Sequence, residues 1–168
     1  EIATFRSDGP YLDGRRPDSV IFTDAENDAR RRDFTINGLF ENPFTGEIVD
    51  YVGGREDLQN GILRAIGTPG ERFAEDALRL IRAVRFATRT GFDITSSTWD
   101  ALREDAALLA KVSPERIRDE FDKIITDPSR RRGIELLVAG GLMDSIIPEF
   151  LSLQGCEQSP QFLSLIHI

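Results

Sequence analysis

One segment carries arginines at spacings of three or four residues, namely Arg79, Arg82, Arg85 and Arg89. At about 100° per residue, a helix would place all four within an arc of roughly 120°, opposite an apolar face. Arginine presents a rigid fork of N–H donors that suits phosphates and the edges of bases. The spacing therefore predicts a helix over 73–90 that packs on one side and offers an anion site on the other. An ordinary solvated face is the alternative.

Two carboxylates, Glu75 and Asp76, stand at the edge of this stripe. A carboxylate and an arginine one helical turn later, as in Glu75 and Arg79, can form a rigid pair. Such a pair has an acceptor edge and a donor edge, as a nucleobase does. The residues thus indicate a surface that could recognise a polar, planar ligand.

Two further groups of residues could act on a ligand. Arg30, Arg31 and Arg32 precede Asp33, but successive helical residues point in different directions, so they cannot all meet one ligand. A solvated basic turn is the alternative. The run 50–54 ends in two glycines, which allow a tight turn or a hinge, a plain turn being the simpler interpretation.

Composition narrows the class of protein. The chain has 168 residues, 40% of them hydrophobic and 30% charged, and a formal net charge of −8. No apolar run is long enough to span a membrane, and an acidic balance argues against nonspecific coating of nucleic acid. Cys156 is the only cysteine and His167 the only histidine, which excludes an internal disulfide and fits a reducing cytoplasm.

The pattern of elements changes along the chain. Short strands are predicted at 1–6, 20–23 and 48–51, with a helix over 25–32 between them. Beyond a boundary within 54–72 the pattern is helical, and the helices are predicted over 73–90, 96–109, 114–126 and 129–139. These elements indicate an α+β part followed by an all-α part.

The ordered motifs give a more specific indication. They are TFRSDGPYLDGRRP at 4–17, RRDFTINGL at 31–39, DYVGGREDL at 50–58 and GTPGERFAEDALRLIRAVRFA at 67–87. In this order they resemble the class II tRNA nucleotidyltransferases, or CCA-adding enzymes, and the related poly(A) polymerases. The resemblance covers about residues 1–95 and is less distinctive from 96 to about 150. Gly38 stands where the family usually has Ala or another small residue.

The resemblance implies a fold and a domain division. Residues 1–58 would form the C-terminal part of a polymerase-β-like nucleotidyltransferase head, a mixed sheet with helices. Residues 59–150 would form an all-α neck and body that binds nucleotide and RNA. Residues 151–168 would be the end of a fragment, in which 163–168 resembles translated adapter sequence, with a short apolar strand as the alternative.

The resemblance also implies an activity. We expect a cytoplasmic, template-independent nucleotidyltransferase that adds CMP and AMP from CTP and ATP to the 3′ end of tRNA. A poly(A) polymerase is the alternative within the family, and a noncatalytic RNA-binding module is the alternative from another class. No membrane partner is expected.

By the same resemblance, Asp76 and Arg79 would hydrogen-bond the incoming base, with Glu75 bracing the pair. Asp76 would accept from an exocyclic amino group, which cytosine and adenine carry there and uracil and guanine do not. Arg79 would donate to a ring nitrogen or carbonyl. A buried polar group left unpaired costs about 1–3 kcal/mol, enough for strong discrimination.

The remaining site residues follow from the same motifs. Arg82 and Arg85 match positions that contact the nucleotide, and we expect these contacts at its phosphates. Arg32 and Asp33 match the ribose-recognition motif, in which Asp33 would accept from a 2′-hydroxyl.

Metal binding is expected mainly outside these residues. The family binds Mg²⁺ through an Asp-x-Asp motif and a third carboxylate on a later strand, and Glu1 matches the third position, as a catalytic metal ligand. No Asp-x-Asp occurs in this chain. We therefore expect the other ligands to lie upstream and the chain alone to be inactive.

Overall fold

A computed structural model describes residues 5–8, 20–153 and 155. The predictions for 1–4, 9–19 and 156–168, which include Glu1, Cys156 and the adapter-like end, lie outside the described residues. Across the described ranges, no helix combines the length and apolar character that crossing a bilayer requires.

Strands occur as three short pairs in the described residues. Strand β1 (Arg6–Asp8) pairs antiparallel with β2 (Val20–Phe22), and β3 (Leu39–Glu41) forms a hairpin with β4 (Ile48–Asp50). The third pair is parallel and joins β5 (Ile62–Leu63) to β6 (Asp93–Ile94) across the helical part. The sequence pattern predicted β2 and β4 but missed β3, β5 and β6, because strands of two or three residues carry too little alternation.

Helices make up most of the rest. They are α1 (Ala25–Arg30), α2 (Gly54–Asn60), α3 (Pro69–Glu75), α4 (Leu78–Thr90), α5 (Ser96–Glu104), α6 (Pro114–Ile125), α7 (Arg130–Ala139) and α8 (Met143–Ile146). Short 3₁₀ turns cover Thr35–Asn37, Ala106–Lys111 and Pro148–Leu153. The mixed α+β class is as predicted.

The predicted helix over 73–90 was wrong in one respect, because it is broken into α3 and α4. Asp76 has extended backbone, with φ −146° and ψ 101°, and its carboxylate accepts a hydrogen bond from the backbone N–H of Leu78 at 3.1 Å. Short acidic side chains compete in this way with helical hydrogen bonds. The break turns the arginines of α4 relative to Glu75. The predicted helix over 96–109 likewise ends at Glu104 and continues as a 3₁₀ turn.

Helix α4 lies at the centre of the helical part. Its apolar face, including Leu80, Ile81 and Val84, is fully buried. Helices α6 and α7 pack against it, and Gly133 of α7 allows the close approach. A Cβ at Gly133 would lie 2.4 Å from Cγ2 of Ile124 and 2.8 Å from Oγ1 of Thr88. The core therefore holds the apolar face of α4 and fixes the direction of its polar face.

The segment 31–39 is fixed against α2 by a second close contact. A Cβ at Gly54 would lie 2.1 Å from the carbonyl oxygen of Thr35, so only glycine fits there. Asp50 ends the preceding strand, and its carboxylate accepts from the backbone N–H groups of 52, 53, 54 and 55 at 2.9 to 3.1 Å. Burial alone would raise the pKa of Asp50, but these four donors hold it below its usual value. The two glycines thus form an ordered turn that begins α2.

Candidate nucleotide-binding site

Arg79 lies at the joint between α3 and α4, where it is almost completely buried. Its Nη1 donates to Oε2 of Glu75 at 2.7 Å and to the carbonyl of Arg72 at 2.9 Å, and its Nη2 donates to the carbonyl of Arg31 at 3.1 Å. These three bonds leave two of its five N–H groups without an acceptor in the described residues. Glu75 therefore fixes the guanidinium of Arg79, while two of its N–H groups remain without an acceptor.

Asp76 stands on the other side of the same joint. Its side chain pairs with Arg116 of α6, with Nη2 of Arg116 3.0 Å from Oδ2. The carboxylate is 19% exposed, whereas the side chain of Arg79 is 9% exposed. The structure thus gives Asp76 and Arg79 separate partners, so each is positioned independently of the other.

Asp33 connects the segment 31–39 to α4. Its Oδ2 accepts from Nε and Nη2 of Arg82 at 2.9 and 2.6 Å, and its Oδ1 accepts from the backbone of Phe34 and the side chain of Asn37 at 2.9 Å each. Burial alone would raise the pKa of Asp33, but the charge of Arg82 and these hydrogen bonds hold it below its usual value. Four donors fill the acceptor capacity of one carboxylate. A ribose hydroxyl could therefore bond Asp33 only if one of these donors withdrew.

Arg85 occupies the next position along α4 and faces α6. Its Nε lies 2.9 Å from Oε2 of Glu120, an ion pair in which neither atom makes an aligned hydrogen bond within the described residues. Burial lowers the pKa of Arg85, although the charge of Glu120 opposes the shift. The guanidinium also lies over the ring of Phe86, 4.3 Å from its centroid. Arg85 is thus held mainly by electrostatic and aromatic contacts.

Arg32 lies at the edge of the cluster. Its Nε and Nη2 donate to Oδ2 of Asp28 at 3.1 and 2.8 Å, and its Nη1 donates to the carbonyl of Asn37 at 2.8 Å. The guanidinium covers the ring of Phe40 at 4.7 Å. Asp28 is almost fully buried and also binds Arg31, so one carboxylate orients two arginines of the basic run.

Six of the predicted site residues meet in this cluster or border it directly, and Arg32 lies beside Asp33. The six are Asp33, Glu75, Asp76, Arg79, Arg82 and Arg85. Glu1 lies outside the described residues. Sequence reasoning missed Arg116 and Glu120, which α6 presents one turn apart. Their spacing resembles any solvated helical face, and only the packing of α6 on α4 gives them partners.

The described residues offer no ready-made site for a metal ion. No group of three or more His, Cys, Asp or Glu side chains among them is arranged to hold a metal ion. The carboxylates of the cluster are instead paired with arginines. The residues described here therefore do not fit a magnesium centre by themselves.

This architecture joins a small α+β segment to a helical region through a cluster of buried arginines and carboxylates. Two family models match it: "Poly A polymerase head domain" over residues 1–64 and "Probable RNA and SrmB- binding site of polymerase A" over residues 91–153. Along the chain, the polymerase-head model is thus matched first and the RNA-binding-site model second.

Individual relatives agree with these matches. The CCA-adding enzyme of Streptococcus gordonii is 46% identical over 145 residues, which are 86% of this chain and 36% of that protein. The CCA-adding enzyme of Lactobacillus helveticus is 44% identical over 151 residues, or 89% of this chain and 37% of the relative. The chain spans about a third of the length of these relatives.

Solved structures show the same similarity. The Bacillus stearothermophilus CCA-adding enzyme in complex with CTP matches with a TM-score of 0.75 and 40% identity, over 83% of this chain and 33% of that one. The Thermotoga maritima CCA-adding enzyme complexed with tRNA matches with a TM-score of 0.69 and 26% identity, over 85% of this chain and 34% of that one. The chain belongs to the family of tRNA nucleotidyltransferases and poly(A) polymerases, as its motifs indicated.

Proposed function

We propose that the chain serves a template-independent RNA nucleotidyltransferase that adds CMP and AMP, from CTP and ATP, to the 3′ end of tRNA. The observation that carries the proposal is the α3–α4 joint, where Arg79 is clamped by Glu75 and Asp76 is held by Arg116. Arg79 supplies hydrogen-bond donors and Asp76 supplies an acceptor, and their partners hold both side chains in place. Relatives named CCA-adding enzymes, of which solved structures hold CTP or tRNA, support the choice of substrates.

In this proposal the protein replaces a template. Asp76 accepts from the exocyclic amino group of cytosine or adenine, and Arg79 donates to the ring nitrogen or carbonyl beside it. Uracil and guanine present a carbonyl to Asp76 instead, so two acceptors face each other. An unpaired or repelled buried group costs about 1–3 kcal/mol, which corresponds to a preference of about fivefold to about 150-fold.

Arg82 and Arg85 are proposed to contact the phosphates of the nucleotide, and Arg32 and Asp33 its ribose. Arg82 is bound to Asp33 in this structure. Transfer of Arg82 from Asp33 to a phosphate would free one carboxylate oxygen for a 2′-hydroxyl. The proposed roles of Arg82 and Asp33 are thus compatible, because the phosphate would replace the carboxylate of Asp33 as the charged acceptor for Arg82.

Mg²⁺ is proposed as the cofactor, since phosphoryl transfer between nucleotides needs charge neutralisation at the triphosphate. Glu1 is the ligand that we propose from this chain, and it lies outside the described residues. The described residues contribute the nucleotide-recognition side of the site.

We propose the domain division given by the motifs, with the head over 1–58 and the neck and body over 59–150. Strands β1 to β4 precede this boundary, and helices α3 to α8 follow it. We also propose a cytoplasmic location, which the single cysteine supports.

The proposal is tested by titrating the 168-residue chain with CTP, ATP, UTP and GTP in the presence of Mg²⁺ and measuring heats of binding. CTP and ATP should bind about tenfold or more tightly than UTP and GTP. A poly(A) polymerase would prefer ATP alone, and a noncatalytic RNA-binding module would bind all four equally or none.

Two variants identify the groups responsible. Arg79→Ala should remove the preference, while Arg131→Gln, which changes an arginine whose side chain is 92% exposed, should leave it intact. Since Arg79→Ala also removes buried hydrogen bonds, Asp76→Asn provides an independent test. The amide can donate to a carbonyl, so the preference for CTP and ATP should fall or reverse. An unchanged preference in Asp76→Asn would refute the assignment.

A further inference from the structure

A polar cavity lies at the C-terminal end of α4, away from the joint with α3. It has a volume of about 270 Å³ and is lined by Arg85, Arg89, Lys123, Thr126, Asp127 and Pro128. Arg89 is ten residues beyond Arg79, so the two lie about 15 Å apart along the helix axis. The cavity is therefore separate from the groups proposed to contact the base, and it shares only Arg85 with the groups proposed to contact the phosphates of the nucleotide.

The cations of this cavity are only partly neutralised. Within the part of the chain that the structure describes, Arg89 is exposed and makes no hydrogen bond or ion pair. Lys123 is bound to Oε1 of Glu120 at 2.9 Å, and Arg85 approaches Oε2 of the same carboxylate. One buried carboxylate thus serves two cations, a third cation has no partner, and Asp127 adds one negative charge to the lining. Three cations against two carboxylates leave a net positive charge, so the cavity attracts an anion.

The cavity also offers acceptors. The hydroxyl of Thr126 donates its hydrogen to the carbonyl of Asp122 at 2.6 Å, so its oxygen can only accept from a ligand. Asp127 accepts from the backbone N–H of Ser129 through Oδ1, which leaves Oδ2 as an acceptor. A matching ligand therefore carries both an anionic group and a hydroxyl donor.

We propose that this cavity binds one backbone unit of single-stranded RNA, with the phosphate against Arg89 and Lys123 and the 2′-hydroxyl donating to Asp127. The proposal rests on the proposed function, in which RNA is the acceptor substrate. Only RNA combines a backbone phosphate with a neighbouring 2′-hydroxyl, and that hydroxyl distinguishes RNA from DNA. A nucleoside triphosphate also carries phosphates and ribose hydroxyls, so titration with CTP is needed to separate the two ligands.

The test measures fluorescence anisotropy of a labelled single-stranded oligoribonucleotide, and of the DNA with the same sequence, on the 168-residue chain. Arg89→Gln and Lys123→Gln should each weaken RNA binding by about threefold to tenfold. Each should also reduce the slope of log K against log salt by about 0.7, the value for one lost phosphate contact on a single strand. Arg118→Gln is the matched control, because Arg118 lies on α6 outside the cavity with its side chain 69% exposed.

Asp127→Asn tests the hydroxyl contact. It keeps the acceptor for Ser129 but replaces the free carboxylate oxygen, so the preference for RNA over DNA should fall while DNA binding holds or strengthens. Equal effects of Arg89→Gln and Arg118→Gln would overturn the proposal, as would an unchanged RNA preference in Asp127→Asn. Arg89→Gln removes no hydrogen bond or ion pair within the described residues. This variant therefore still tests the proposal if Lys123→Gln fails to fold.

Titration of the same variants with CTP separates the sources of phosphate. If Arg89→Gln weakens CTP binding as much as RNA binding, the cavity serves the triphosphate and the proposal fails. If the parent chain prefers CTP and ATP but Arg89→Gln leaves RNA binding unchanged, this inference fails and the proposed function stands. If the parent chain shows no base preference, the proposed function itself fails.

Discussion

The two ends of helix α4 carry the same residue type and use it differently. At the first end, Arg79 and Arg82 are held by carboxylates and carbonyls at 2.6 to 3.1 Å. At the far end, Arg89 has no partner among the described residues. A regular arginine stripe is therefore not one functional unit. Its first part is built into the fold to present a few fixed donors, whereas its last part is available to a ligand.

The largest expected effect on stability is at the N-terminal end of α4, where Arg82 pairs with Asp33. Asp33→Asn removes the charge that pairs with Arg82 and places an amide where four donors converge. Loss of one partner of a buried ion pair costs about 3–5 kcal/mol, and partial exposure of Arg82 reduces this to about 2–3 kcal/mol here. Urea denaturation measures the free energy of unfolding. Glu26→Gln, which breaks an exposed pair with Arg30, is the control and should cost at most about 0.5 kcal/mol.

A smaller loss is expected from the packing beneath the far end. Gly133→Ala places a methyl group 2.4 Å from Cγ2 of Ile124, so α7 must move away from α4 and α6. Overpacking of this kind costs about 1–3 kcal/mol, which thermal denaturation would detect. The control is Ala74→Gly at an exposed position of α3, which loses only helix propensity, about 1 kcal/mol. A Gly133→Ala variant as stable as the parent would show that the far end is loosely packed.

The pH dependence of stability should follow the carboxylates of the first end. The folded-state pKa of Asp33 lies below its usual value of 3.8, so the ionised form is favoured by folding. Its contribution is fully present above 3.8 and is lost as pH falls through the lowered folded pKa. Asp50 and Asp57 act in the same direction.

Unfolding free energies measured across the acid range check this expectation. The parent chain should lose stability more steeply below pH 3.8 than Asp33→Asn, because the variant lacks one of the three titrating groups. If the free energy of unfolding fell equally steeply with pH in the parent chain and in Asp33→Asn, the assignment of a lowered pKa to Asp33 would be contradicted.

The smallest effect on stability is expected at Arg89. Since Arg89 makes no hydrogen bond or ion pair in the described part of the chain, Arg89→Gln should change the free energy of unfolding by less than about 0.5 kcal/mol. The same denaturation experiment measures it. A loss of more than about 1 kcal/mol in the free energy of unfolding is twice the expected limit. It would mean that Arg89 stabilises the fold, and the contrast between the two ends of α4 would disappear.

Much of the fold and site followed from the sequence. The periodicity at α6 and α7 predicted both helices, because long amphipathic segments with clear ends leave a strong pattern. The motifs around Asp33 and Arg79 predicted two groups of site residues 46 positions apart in the chain. These patterns do not give the distances between segments in the folded chain.

Tertiary structure decided the rest. It broke the helix at Asp76, since a carboxylate that caps Leu78 competes with the continuing helix. It also filled the acceptors of Asp33 with Arg82, and gave Asp76 and Arg85 the partners Arg116 and Glu120 on α6. Residue types and spacing determined which groups could carry the chemistry. Only the packing of α6 and of the segment 31–39 on α4 determined which of those groups are held and which stay open, because ion pairs form between surfaces that the linear sequence does not bring together.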